Sequence, residues 1–273
     1  MARANLGSRR SCETIISEGR VTVNGHVAKL GDKADPARDR IEVDGQPLLV
    51  ATSAAPEPAF IYIALNKPRG VISSLEDELE AGRTTVRDLI DIENAQHIYP
   101  VGRLDKPSEG LVLMTNDGTL AHRLTHPRYG HEKVYAVTVE GHISEHALDQ
   151  WRRGVMLDNR ITAPAPIEVV ERDSDTTRLR IILREGRKRQ IRRIAAALGH
   201  PVRKLVRERI GPLSLGDLPT GQWRYLSDRE VDELKQSAAA DVVPRGSAPK
   251  SKNRRSVDIN HRNKESRAAR SST

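Results

Sequence analysis

Cysteine is almost missing from this chain: Cys12 is the single one in 273 residues. No disulfide can form within the chain, nothing demands an oxidising compartment, and a cytoplasmic location is expected. Long hydrophobic runs are missing as well. No stretch approaches the roughly 20 apolar residues that span a bilayer, and the opening segment, Met-Ala-Arg-Ala-Asn-Leu-Gly-Ser-Arg-Arg onward, has no hydrophobic signal core. No membrane partner is expected. Apolar residues make up 37% of the chain, below the roughly 45–50% of a soluble domain, a figure that also counts glycine. Four familiar signatures are absent too: the P-loop, the dinucleotide fingerprint, the zinc spacings and the Gly-x-Ser-x-Gly elbow. Chemistry driven by a nucleotide, a dinucleotide or zinc therefore has no motif to support it.

What the chain has in excess is positive charge. Lys and Arg number 45 against 37 Asp and Glu, a net charge of +8. Residues 245–273 carry nine Lys/Arg and two Asp/Glu, so this tail holds +7 of that total. The remainder is nearly neutral and has to be judged by clustering. From Arg184 to Arg209 there are ten Lys/Arg against two Asp/Glu. A solvated face explains that imbalance poorly; a polyanion, nucleic acid before membrane, explains it well. Within this segment Ile191, Ile194, Ala195 and Leu198 fall at i, i+3, i+4 and i+7, and Gly199 and Pro201 end a helix. Its basic residues crowd the first turn, where the helix dipole favours anions. A phosphate or carboxylate bound there would account for them.

Pattern and punctuation divide the chain into four parts. Residues 1–50 form a basic unit. Its short helix has Cys12, Ile15 and Ile16 as an apolar stripe, Ser8 or Ser11 as cap and Gly19 as stop. A strand over 20–23, an Asn24-Gly25 hairpin signal and a second β signal over 40–43 follow. Arg9, Arg10 and Arg20 flank the helix ends and could meet phosphates, although charge alone does not distinguish them from a solvated face. Residues 51–59 are small and proline-spaced, a linker. Residues 60–236 form the main domain. Here the pattern predicts helices over 84–90, 120–124, 144–154 and 228–235, and strands over 60–65, 133–139, 167–170 and 177–183. Residues 237–273, rich in Arg, Ser, Asn and Lys, are expected to be a disordered basic tail. His126 and His131 share one loop, but no cysteine or helical His pair accompanies them, so no metal site is expected.

The most informative stretch runs Gly102-Arg103-Leu104-Asp105-Lys106-Pro107-Ser108-Glu109-Gly110, then Leu111-Val112-Leu113-Met114. Two glycines and a proline suit a loop of one fixed shape. Asp105 stands in it just before a buried strand, with Arg103 and Lys106 to keep it ionised. Taken alone, a structural aspartate accepting backbone hydrogen bonds is the better reading. Its neighbours change the balance. One carboxylate can attack, or stabilise, the anomeric carbon of a sugar as the glycosidic bond breaks. A base taken from folded RNA then needs an aromatic ring to stack on. Tyr135, in the alternating run 133–139, is such a ring, with a plain core role at even odds from pattern alone.

Ser8-Arg9-Arg10, a helix, Glu18 to Gly25 and Asp39 to Gly45 together resemble the S4 RNA-binding domain across residues 4–46. That family has a longer first helical segment than Met1 to Gly7 supply, so either a start lies upstream or the module is trimmed. Further on, Gly102 to Asp105 through Thr115 to Gly118, Lys133-Val134-Tyr135 and Gly186 to Arg193 resemble the RsuA/RluB family of ribosomal RNA pseudouridine synthases. Asn66-Lys67-Pro68-Arg69-Gly70 and Ile210-Gly211-Pro212-Leu213 fit as well. The resemblance implies an α+β fold: a small N-terminal S4-like domain, then a catalytic domain on a mixed, mainly antiparallel sheet flanked by helices. It implies isomerisation of uridine to pseudouridine in ribosomal RNA or a ribosome-assembly intermediate, by a monomer without cofactor. It assigns Asp105 as nucleophile, Tyr135 to stack on the base and assist proton removal from C5, and Arg192 to pair with the carboxylate. Arg103 would help evert the nucleotide, while Lys188, Arg189, Arg9 and Arg10 would contact RNA. Ser108 stands where many relatives have threonine, and either hydroxyl can brace the loop. The alternative is a ribosome-assembly factor that binds RNA without chemistry, which has no reason to hold Asp105, Tyr135 and Arg192 together. An RNA glycosidase is a weaker third reading, since it would usually employ two carboxylates.

Overall fold

The structure, a computed structural model, describes residues 6, 9–48, 59–75, 82–92 and 98–240. These fall into two compact units divided between Phe60 and Ile61. The cap candidate Ser8, linker residues 51–58 and tail residues 241–273 lie outside the described residues.

In the first unit α1 (Arg9–Ser17) turns Cys12 inward, where it is buried, as are Val21 and Ala28; Ile15 and Ile16 are half-buried. Four short strands follow: β1 (Val21–Val23), β2 (His26–Val27), β3 (Ile41–Val43) and β4 (Gln46–Pro47), in the order β2-β1-β3-β4. Asn24 and Gly25 have φ of 54° and 82°, the two positive angles that a type I′ turn demands. Asp44 and Gly45 repeat the device between β3 and β4. Arg20 is held by Asp44 at 2.6 and 2.7 Å and by Glu18 at 3.1 Å, so its guanidinium is already engaged.

The second unit runs β5 (Tyr62–Lys67), β6 (Tyr99–Pro100), β7 (Glu109–Thr115), α2 (Gly118–Thr125), β8 (Lys133–Glu140) and α3 (Glu145–Arg153). Then come β9 (Met156–Leu157), β10 (Arg160–Ile161), β11 (Ile167–Arg172), β12 (Thr176–Leu183) and α4 (Gln190–Ala197). It closes with β13 (Val202–Ile210), β14 (Leu213–Ser214), β15 (Trp223–Tyr225) and α5 (Asp228–Ala239). Nine of these strands form one sheet in the order β11-β12-β8-β13-β7-β5-β15, with β14 beside β13 and β6 beside β7. Only β13 and β7 pair in parallel, so the sheet is mixed and mainly antiparallel, as expected.

The central strands are apolar on both faces because both faces are covered. Ile63, Leu65, Val112 and Met114 join one core with Leu148 and Trp151 of α3 and Ile191 and Ile194 of α4. Tyr62, Ala64, Leu111 and Leu113 join the other with Leu120 and Leu124 of α2 and Leu234 of α5. Residues 111–114 are 0% exposed, and burying one such side chain is worth about 1.5–3 kcal/mol. This fixes β7, and with it the end of the loop that carries Asp105.

Three features depart from the sequence expectations. Residues 84–90 form no helix. Thr85 makes a parallel bridge to Ile72, and Thr85 and Asp88 exchange side chain–backbone hydrogen bonds at 2.8 and 3.4 Å. These are the bonds of a helix cap, but only one turn follows, Ile90 N donating to Arg87 O at 3.0 Å, because Thr84 O and Val86 N are bonded across to Ile72; Val86 and Ile90 are buried as the spacing implies. The last helix runs past Lys235 to Ala239, so a tail boundary at 237 falls inside it; Ala238 is packed in the core. The β9–β10 hairpin has no counterpart in the expectations. Its strands are two residues each, and Asp158-Asn159 take φ of 53° and 56° without a glycine.

Candidate active site

Strand register builds the floor of the site. Tyr135 of β8 lies opposite Arg207 of β13 and Ile181 of β12, and Lys133 lies opposite Leu183. Directly opposed residues share a face, as do residues two apart on a strand. Lys133, Tyr135, Leu183, Leu205 and Arg207 thus make one surface. Over it opens a cavity of about 450 Å³, walled on one side by the loop 102–105 with Ser108 and on the other by residues 184–192. That volume lies within the roughly 300–1,000 Å³ of small-molecule sites and admits one nucleobase.

Asp105 lines the cavity and is half-buried. Its loop is braced from several sides. Ser73 Oγ donates to Leu104 O at 3.0 Å and accepts from Leu104 N at 3.1 Å. Gly70 N donates to Lys106 O at 2.8 Å, and Ser108 N to Asp105 O at 2.9 Å. Arg192 Nη2 donates to Pro107 O at 2.8 Å and lies 3.3 Å from Ser108 Oγ. Lys67 is 0% exposed, and its Nζ staples the turn after β5 by donating to Pro68 O and Val71 O at 2.8 Å each. Burial pulls its pKa down to about 8, with Glu109 and Asp105 opposing and Arg207 adding to the fall.

The expected cationic partner of Asp105 takes a different position. The hydrogen bonds of Arg192 go to Pro107, Ser108 and, at 3.3 Å, the carbonyl of Val202. Arg192 therefore grips the loop, and Asp105 acts on it through space. Burial foremost, then Arg189, lowers the Arg192 pKa, while Asp105 and Glu109 raise it. Tyr135 is 9% exposed, belongs to the core and lines the cavity. Arg103, Lys188 and Arg189 are exposed at the cavity mouth. Arg9 and Arg10 open α1 in the other unit, and their side chains lie outside the described residues.

The basic segment is less free than its count implies. Arg184 and Arg209 pair with Glu132, Arg193 with Asp158, and Arg203 with Asp175. Arg187 donates to the carbonyls of Leu157, Arg160 and Ile161 at 3.1, 2.9 and 2.7 Å, holding the β9–β10 hairpin. Conversely, Lys133 and Arg207 line the cavity and Lys67 braces the turn after β5, and pattern reading singled out none of them. Lys133 carried a signal, being two residues from Tyr135 and so on its face. Arg207 carried none, since its place depends on the β13–β8 register. Among the described residues no group of His, Cys, Asp or Glu could hold a metal ion, and no helix is long and apolar enough to cross a membrane.

Comparison with known proteins agrees with this geometry. Residues 61–197 match the family model described as RNA pseudouridylate synthase, and residues 1–41 match the S4 domain. The chain is 39% identical over 246 residues to an uncharacterized RNA pseudouridine synthase of Aquifex aeolicus, covering 90% of this chain and 95% of that protein. It is 42% identical over 241 residues to the ribosomal large subunit pseudouridine synthase B of Bacillus subtilis, covering 87% and 94%. A crystal structure of a pseudouridylate synthase is similar with a TM-score of 0.62 and 30% identity, over 85% of this chain and 96% of that one.

Proposed function

The chain belongs to the RNA pseudouridylate synthase family, and from that premise we propose that it converts a specific uridine of ribosomal RNA to pseudouridine, with Asp105 as nucleophile. One observation carries the assignment of roles: a carboxylate on a braced loop lines a base-sized cavity floored by a tyrosine. The Bacillus subtilis relative is named for the large ribosomal subunit, which favours large-subunit RNA as substrate.

The target nucleotide leaves its stack, at a cost of a few kcal/mol, and enters the cavity. Arg103 at the mouth assists this eversion, and the ring of Tyr135 stacks on the base. A carboxylate oxygen of Asp105 bonds to C1′ as the N1–C1′ bond breaks, and the bonding pair leaves with uracil. The base turns in place, C5 bonds to C1′, and the carboxylate departs. C5 loses its proton with the help of Tyr135, and N1 gains one, so nothing is consumed. Arg192 acts by holding the loop, because reacting atoms must meet within a narrow geometry. Lys188 and Arg189 meet the RNA around the cavity. The S4 domain of residues 1–50, with Arg9 and Arg10, and the basic tail add affinity. We propose action as a monomer in the cytoplasm, on ribosomal RNA or an assembly intermediate.

Pseudouridine mapping of ribosomal RNA, made with and without the protein, tests this reading. A uridine converted only when the protein is present supports it. Identical maps overturn it.

A further inference from the structure

Buried polar atoms without partners gather at this cavity. Among the described residues three buried side-chain nitrogens lack a hydrogen bond: His131 Nε2, Trp151 Nε1 and Arg207 Nη2. Trp151 belongs to the core, whereas His131 and Arg207 both line the cavity. Buried polar groups are nearly always satisfied, so the unpartnered guanidinium nitrogen of a cavity-lining arginine is an unspent donor. Arg207 is 2% exposed, with Nε donating to Leu111 O at 2.8 Å, and no carboxylate pairs with it among the described residues. Lys133, on the same face, donates to His131 O at 3.2 Å. Burial and the nearby Arg207 push its pKa down to about 8, which leaves it charged at neutral pH. A buried and a half-buried cation side by side, with no carboxylate paired to either among the described residues, are unfavourable until an anion arrives. The exposed cations at the mouth suit phosphate. The floor cations lie beside Tyr135, Leu183 and Leu205, which suits a flat anion with delocalised charge.

We propose that Lys133 and Arg207 bind the uracil ring as an anion during its detachment from C1′. The inference rests on the pseudouridine chemistry proposed above. When N1–C1′ breaks heterolytically, the electron pair stays on the ring and spreads over N1, O2 and O4, while Asp105 holds C1′. The ammonium and guanidinium N–H groups face the carbonyl oxygens. Exchanging N1 for C5 is a half-turn about the N3–C6 axis, which also exchanges O2 and O4. One fixed pair of cations therefore meets the same pattern of oxygens before and after rotation. The charge is discharged when C5 attacks C1′ and the carboxylate leaves.

The test uses full-length protein and RNA fragments bearing either uridine or 5-fluorouridine at the mapped site. Fluorine makes uracil a more acidic, better-departing anion, so the ring needs less help. Single-turnover detachment of the base, RNA affinity and urea midpoint are measured for wild type, Lys133→Met, Lys133→Arg and Arg207→Met. Lys133→Met is expected to slow the uridine reaction about 100-fold and the 5-fluorouridine reaction only about 10-fold, as for loss of one donor to a developing anion. Lys133→Arg, which keeps the charge, should retain most of the rate. Equal defects on both substrates would mark a structural role and overturn the proposal. So would a change confined to RNA affinity, which would mark a phosphate contact, or no defect at all. If wild type itself forms no pseudouridine, the enzyme reading fails instead, an outcome distinct from these.

Discussion

Replacing Gly110 by alanine asks whether the sheet places the loop that carries Asp105. Gly110 begins the buried part of β7 with φ of 103°. An added Cβ would lie 2.4 Å from Arg207 O, 2.6 Å from Arg207 N and 2.9 Å from Val206 Cγ1. The first two are backbone atoms of β13 and cannot rotate away, so the parallel pair β7–β13 has to part. The strained φ costs about 1–3 kcal/mol, and forcing packed elements apart typically costs about 1–3 kcal/mol more. A loss of about 2–6 kcal/mol is a large part of a domain's stability but does not unfold every domain. Where Gly110→Ala stays folded, Asp105 shifts with the start of β7, and a 1 Å misplacement costs about 100-fold in rate. Urea unfolding and single-turnover pseudouridine formation read the two effects separately. An alanine variant within about 0.5 kcal/mol of wild type that also reacts at the wild-type rate would refute both the close approach and the placement of the loop.

Other perturbations probe single contacts. Arg192→Lys replaces a planar fork by a point charge that cannot serve Pro107 O and Ser108 Oγ together. It should lower turnover by the loss of one charged hydrogen bond, about 1.5–3 kcal/mol, with RNA affinity kept; an unchanged rate would contradict the bracing role. Lys67 titrates at about 8 in the fold against 10.5 in the unfolded chain. The unfolded state binds more protons across that window, so stability rises from pH 8 toward 10.5, by at most about 1.4 kcal/mol per pH unit for this group. Lys67→Met should remove that share of the rise in urea midpoint, leaving the share of Lys133, which has the same sign; equal slopes would contradict the burial of Lys67. Deleting residues 241–273 should weaken RNA binding and flatten its salt dependence, because fewer counterions are released. An identical salt slope would remove the tail from binding.

The parts of the fold legible in the sequence are those fixed by near neighbours. Asn24-Gly25 specifies its hairpin through two positive φ angles. Ser144 and Gly154 bound α3 as cap and stop, Ser144 Oγ accepting from Ala147 N. Leu111 to Met114 could only be a covered strand. Residues 84–90 show the limit: their apolar spacing is helical, but Thr84 O and Val86 N are taken by Ile72, a partner outside the segment. The candidate site divides in the same way. Asp105 and Tyr135 stand in local patterns and come to one cavity. The basic segment looked free because Glu132, Asp158 and Asp175, which neutralise part of it, are distant in sequence. Lys67 and Arg207 were missed because a charge in a strand gives no sign of its burial until its strand partners are known.

The most direct measurement is Asp105→Asn in a single-turnover assay on a ribosomal RNA fragment containing the mapped uridine, with RNA binding followed in parallel. The amide nearly matches the carboxylate in size and cannot act as the nucleophile. The expected result is no detectable pseudouridine with RNA affinity close to wild type. Product formed at a rate near that of wild type would contradict the central role given to Asp105.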